Sequence, residues 1–157
     1  MRKQIIAAKQ LAGAVTKPQW LPVEELAEVE MTSEDTTCPI ESALLPDQGG
    51  GWRAAEPGKQ TIRFVFLHPV KLRRIQLRFV ESETNRTQEY VLRWSPDGGH
   101  SFQEIVRQQW NFNPQGSTAE YEDHYIRLAG VTLLELSITP DIAGGSAFAS
   151  LAQLRLA

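Results

Sequence analysis

After Trp52, apolar and polar residues alternate with period two over most of the chain, the spacing of a strand with one face buried. Ile62, Phe64 and Phe66 share a face opposite Arg63, Val65 and Leu67. Ile75, Leu77 and Phe79 do the same opposite Arg74, Gln76 and Arg78, with Pro69 between the two runs. Tyr90, Leu92 and Trp94 form a third apolar face. The turn cluster Ser95, Pro96, Asp97, Gly98, Gly99 then ends that strand and opens a hairpin. Further strands are expected near residues 28–33, 102–109, 121–128, 133–139 and 151–156. About eight short strands with turn signals between them, and no helical period after residue 30, predict an all-β antiparallel sandwich or barrel. Parallel βαβ units are excluded for want of crossover helices.

The opening is different. Ile5, Ile6, Leu11 and Val15 with Ala7, Ala8, Ala12 and Ala14 predict a short N-terminal helix ended by Pro18. Trp20 to Leu26 reads as a turn or short helix covering an edge of the core. The expected organisation is a helical extension over residues 1–28 and one sandwich domain over 29–157, since 157 residues suit one core. Gly49, Gly50 and Gly51 are not followed by Lys-Ser or Lys-Thr and open no helix, so they do not read as a phosphate loop.

Composition narrows the function. The net charge is −3, which argues against a general nucleic-acid binder, although the basic residues concentrate between Gly51 and Trp110 and leave room for local basic patches. Cys38 is the single cysteine; it can form no internal disulfide, and the cytoplasm is the expected location. No run approaches the ~18 apolar residues of a membrane span.

Several motifs, taken in order, carry a resemblance: Trp52; Gln60 to Phe66; Pro69 to Ile75; Tyr90 to Gly99; and Ala149, Ser150, Leu151 before the last strand. This arrangement resembles the galactose-binding-domain-like jelly roll of discoidin domains, coagulation-factor C-type domains and several carbohydrate-binding modules. The resemblance implies an eight-stranded antiparallel jelly-roll β-sandwich that holds ligands in loops at one end. It also implies a structural calcium ion where a loop Asp and a Glu near the last strand are present. Here Asp47 is the candidate for the first, and Gln153 stands at the second, a poorer ligand for a hard cation. No metal or other cofactor is therefore expected.

Catalytic chemistry finds little support. His68, His100 and His124 lack metal-ligand spacing. Glu120 and Glu122 would share a strand face, as a glycosidase pair must, but read as solvated edge charges. The Ser95 to Phe102 stretch resembles the Asp-box of sialidase propellers in a single copy, apart from Ser101 and Phe102 in its last two places, and reads as a structural turn. Binding chemistry is better represented. Arg86 and Gln88 border a polar loop, and Trp110, Asn111 and Asn113 mix an aromatic plate with amides, the combination that stacks on a sugar's C–H face while bonding its hydroxyls. Trp52 and Arg53 join them if the preceding loop reaches the same end. The chain is thus expected to be a non-catalytic module that binds carbohydrate. A protein-interaction or scaffold role is the alternative, and the sequence does not fix the oligomeric state.

Overall fold

The computed structural model describes residues 1, 3–4, 20–45 and 49–157; the expected N-terminal helix and Asp47 lie outside the described residues. The elements are α1 (Val23–Leu26), β1 (Ala27–Met31), α2 (Glu41–Leu44), β2 (Trp52–Pro57), β3 (Gln60–Val80), β4 (Arg86–Ser95), β5 (Gln103–Phe112), β6 (Ala119–Thr139), β7 (Phe148–Leu151) and β8 (Gln153–Leu156). All strand pairings are antiparallel. Among the described residues there are eight strands, as expected, but they are divided differently.

The two runs on either side of Pro69 are one 21-residue strand, β3, and the two runs expected at 121–128 and 133–139 are likewise one strand, β6. These strands bend rather than stop. Pro69 donates no ladder bond, the β3–β6 register shifts between Val65 and Val70 and twice more before Arg74, and Gly130 takes φ 69° on the facing strand. Bulges of this kind turn a strand without ending it. The hydrogen-bonded sheet, in the order β1-β3-β6-β4-β5 with β8 also on β3, thereby folds over into two layers. The first halves of β3 and the second half of β6 lie with β1, β4 and β5 in one layer, and the remaining halves lie with β8 in the other.

The core fills the space between the layers. Ile62, Phe64, Tyr90, Leu92, Leu134 and Leu136 face Leu72, Ile75, Leu77, Phe79, Leu154 and Leu156, all buried. The Phe79 and Tyr90 rings stack across the gap with centroids 5.3 Å apart. Trp94 lies on the predicted inner face but is only partly buried. The expected last strand divides into β7 and β8, and β7 pairs with β2, a strand the alternation did not reveal. Gly51 explains the triple glycine: at φ +76° a Cβ there would lie 2.5 Å from the Leu151 carbonyl oxygen, so only glycine lets the chain enter β2 this close to β7.

Folding the strands over gives the sandwich two unlike ends. The corner end holds the bends of β3 and β6 and the hairpin after β4. In that hairpin Ser95 Oγ accepts from the Gly99 amide at 2.8 Å, while Asp97 accepts from the Ser101 amide at 2.8 Å and hydroxyl at 2.6 Å. The Ser101 and Ser95 hydroxyls hold the Asp97 carboxyl down at about 2. The Asp-box-like segment is a self-satisfied turn, as expected. The loop end gathers residues 81–85, 113–118 and 140–147.

Candidate functional site

At the loop end, the last residues of β3 and the first of β6 pair as Val80 with Ala119, and Glu81 N–H bonds the Thr118 carbonyl at 2.9 Å. The start of β4 pairs with the end of β5, setting Arg86 opposite Phe112, Thr87 opposite Asn111 and Gln88 opposite Trp110. The loops after Phe79 and after Trp110 are therefore side by side, as their strand order predicts. The third loop joins through Ile142, whose N–H bonds the Thr87 carbonyl at 2.9 Å.

Arg86 holds these loops together. Its Nε donates to Glu81 at 2.8 Å, and its Nη1 donates to the Pro140 carbonyl at 2.7 Å and to Gln88 Oε1 at 3.1 Å. The guanidinium plane lies 4.7 Å over the Phe112 ring. Burial would raise the Glu81 carboxyl, yet the bonds from Arg86 and the Glu83 amide hold it below its ordinary value. The Arg86 side chain is 1% exposed. It is a clamp rather than a ligand donor.

The seven sequence-predicted residues thus divide. Gln88 is buried with its amide nitrogen 3.2 Å from Glu120 Oε1, and, like Arg86, it stands behind the surface. Trp52 is 1% exposed beneath β7, where no ligand ring reaches it; its alternation with Ala54 puts it in the core. Arg53 is exposed but lies elsewhere, over Phe148 at 5.1 Å and tied through its backbone to Asp35 and Cys38. The remaining three keep contact with solvent at the rim, but Trp110, packed on the core, and its strand neighbour Asn111 face opposite sides of β5. Trp110 is half-buried and donates its indole N–H to Ser117 Oγ at 3.0 Å. Asn111 is exposed, its Oδ1 accepting from the Thr87 hydroxyl at 2.6 Å, and Asn113 is exposed with its Oδ1 accepting from the Gln115 amide at 2.9 Å. Both bonds orient the amide and leave its nitrogen outward as a donor.

Behind the rim runs a polar file that the sequence did not disclose. Glu120 is 0% exposed, so it is no solvated edge charge. Burial, then the neighbouring Glu122 carboxylate, push it up to about 8, against the pull of Gln88 and Arg86. No donor points at its Oε2, the oxygen left to carry the proton. Further in, the Tyr90 hydroxyl meets His124 Nε2 at 2.6 Å, and burial with the Glu122 and Glu120 charges raises the tyrosine. The signal for this file was present: Ile126 and Leu128 pack on the core, and the same parity carried back along β6 turns His124, Glu122 and Glu120 inward.

No family model matches the sequence, and no curated protein matches it. Solved structures do. A family 32 carbohydrate-binding module from Clostridium perfringens NanJ, in complex with galactose, superposes with a TM-score of 0.63 at 18% identity, covering 87% of this chain and 96% of that one. A second, CBM32-3 from a family 31 glycoside hydrolase of Clostridium perfringens, gives 0.64 at 19% identity with coverages of 87% and 93%. A third, CpGH89CBM32-5 from Clostridium perfringens with GalNAc-β-1,3-galactose, gives 0.61 at 19% identity with coverages of 88% and 99%. The folded-over sheet and these superpositions agree: the chain has the galactose-binding-domain-like jelly-roll fold of the family 32 carbohydrate-binding modules.

Proposed function

We propose that this protein is a non-catalytic carbohydrate-binding module that takes a sugar on the loop end, at the rim beside Trp110 and Asn113, which both bond Ser117 of the same loop. One observation carries the reading. A buried arginine joins residue 81, the aromatic at 112 and the carbonyl at 140, so loops from three parts of the chain form one rigid surface. A sugar offers weak, numerous hydroxyl contacts, and a surface ordered beforehand loses little freedom when it binds them. Glu120 is buried against Gln88 and does not flank an open cleft with Glu122, which supports a binding role over glycoside hydrolysis. Structural neighbours crystallised with galactose and GalNAc make these the first ligands to try.

Calorimetric titration with galactose, N-acetylgalactosamine and their oligosaccharides tests the site. Asn113→Ala and Trp110→Ala are each expected to weaken binding roughly tenfold or more. Asn113 lies in an exposed turn, so its variant folds and isolates binding from stability. Binding left unchanged in both variants would remove the sugar from this rim.

A further inference from the structure

The outer face of the three-stranded layer, on the opposite side from the core, carries two exposed tyrosines among arginines. Its strands pair in rows: Gln153 with Arg78 and Tyr121, then Arg155 with Gln76 and Asp123, then Arg74 with Tyr125. The inward parity of Glu120, Glu122 and His124 forces the two tyrosines out, where Tyr121 is 57% and Tyr125 is 73% exposed. Four residues of strand separate them by ~13 Å.

Tyr125 is held in place. The Arg74 guanidinium lies 4.9 Å over its ring and 5.2 Å over the ring of Trp20, and it forks onto Asp123 at 2.8 and 2.6 Å. Asp123, the carboxylate of these rows, is thereby neutralised. Arg155 adds a second cation over Trp20 at 5.7 Å. Beyond Tyr125 the shift in register between β3 and β6 opens the layer into a groove of about 680 Å³, lined by Lys71, Arg73, Tyr125 and Arg127 among others. Among the described residues, Lys71, Arg73, Arg78 and Arg127 make no ion pair.

We infer that this face and its groove form a second binding site, separate from the loop end, for an acidic polysaccharide whose sugar rings lie on Tyr121 and Tyr125 and whose carboxylates or sulfates meet Arg78, Arg73, Lys71 and Arg127. The amides of Gln76 and Gln153 supply partners for hydroxyls on the same face. Exposed tyrosines and unpaired cations, side by side on a flat sheet, suit a ligand that carries both a ring face and a charge on each unit. Single-stranded nucleic acid has the same two features, bases that stack and a charged backbone. A chain of net charge −3 lacks the overall basic excess that nucleic-acid binders use, which favours an acidic glycan over nucleic acid.

The experiment titrates the full chain, by calorimetry at two salt concentrations, with polygalacturonate oligomers, their fully methyl-esterified counterparts, a sulfated glycosaminoglycan fragment and a single-stranded oligothymidylate. At least one of the two acidic glycans is expected to bind, more weakly at high salt, while the esterified oligomer, with the same rings and no charge, does not. The Arg73→Glu, Arg127→Glu double variant and Tyr125→Ala, all at exposed positions, are each expected to lose roughly tenfold or more, and Asn113→Ala none. The inference is overturned if neither acidic glycan binds, if the esterified oligomer binds as well, if the double variant binds undiminished, or if oligothymidylate binds more tightly than both glycans. The readouts separate the two sites: loss on Asn113→Ala reports on the loop end and loss on Tyr125→Ala on this face.

Discussion

Replacing Arg86 with alanine is expected to lower folding stability by about 3 to 5 kcal/mol, the usual cost of removing one partner from a buried ion pair. The reason lies in what the substitution leaves behind. Glu81 retains some solvent access and rehydrates, but Gln88 Oε1 and the Pro140 carbonyl each lose the Nη1 donor, and the Phe112 ring loses its covering plane. A buried acceptor without a donor carries its full desolvation cost. Arg86→Lys is expected to recover only part of the loss, because a single ammonium cannot reach the carboxylate, the carbonyl and the amide at once. Urea denaturation checks both: the midpoint falls in each variant, further in the alanine. A midpoint within experimental error of the parent would show that the end loops do not depend on the clamp.

Glu120→Gln is expected to change how stability depends on pH. In the folded chain the Glu120 carboxyl titrates at about 8, against an ordinary value of 4.5. Below 4.5 both folded and unfolded forms are protonated and burial of this group is free of charge. As pH rises from 4.5 to 8 the unfolded chain releases the proton while the folded one keeps it, so stability falls, by up to ~1.4 kcal/mol per pH unit. Above 8 the buried carboxylate is charged and the loss is complete. Glutamine has nearly the same shape, keeps an acceptor for Gln88, offers Glu122 a donor and does not titrate. The parent's melting temperature should therefore decline between pH 5 and 9, with the variant's much flatter and higher at pH 9. Parallel declines would place the sensitivity on another group.

How much of this was legible in the sequence depends on how local the signal is. Alternation at Ile62, Phe64, Phe66 and at Tyr90, Leu92 needs only neighbouring residues, and it identified the inner faces correctly. The continuity of β3 and β6 did not show, because Pro69 and Gly130 look like stops when read alone and become corners only when two strands bend together. Trp52 reads as a loop aromatic in the sequence because its partner Leu151 is 99 positions away. Arg86 and Gln88 resemble ligand donors in the sequence because polar residues beside a polar loop are usually solvated; the acceptors they meet, Glu81, Pro140 and Glu120, belong to three different segments. At 120–125 the expectation of solvated acids fails at Glu120, which the structure buries. There the parity set by Ile126 and Leu128 outweighs the preference of individual residues, and it creates both the buried acid and the exposed tyrosines.

The central claim, that the loop end holds a sugar, is tested most directly by amide and indole correlation spectra of the labelled protein during titration with galactose and N-acetylgalactosamine. Saturable shifts confined to the Trp110 indole, Asn113 and the loops at 81–85 and 140–147 are expected. Spectra unchanged at saturating sugar, or shifts that leave these residues untouched, would contradict it.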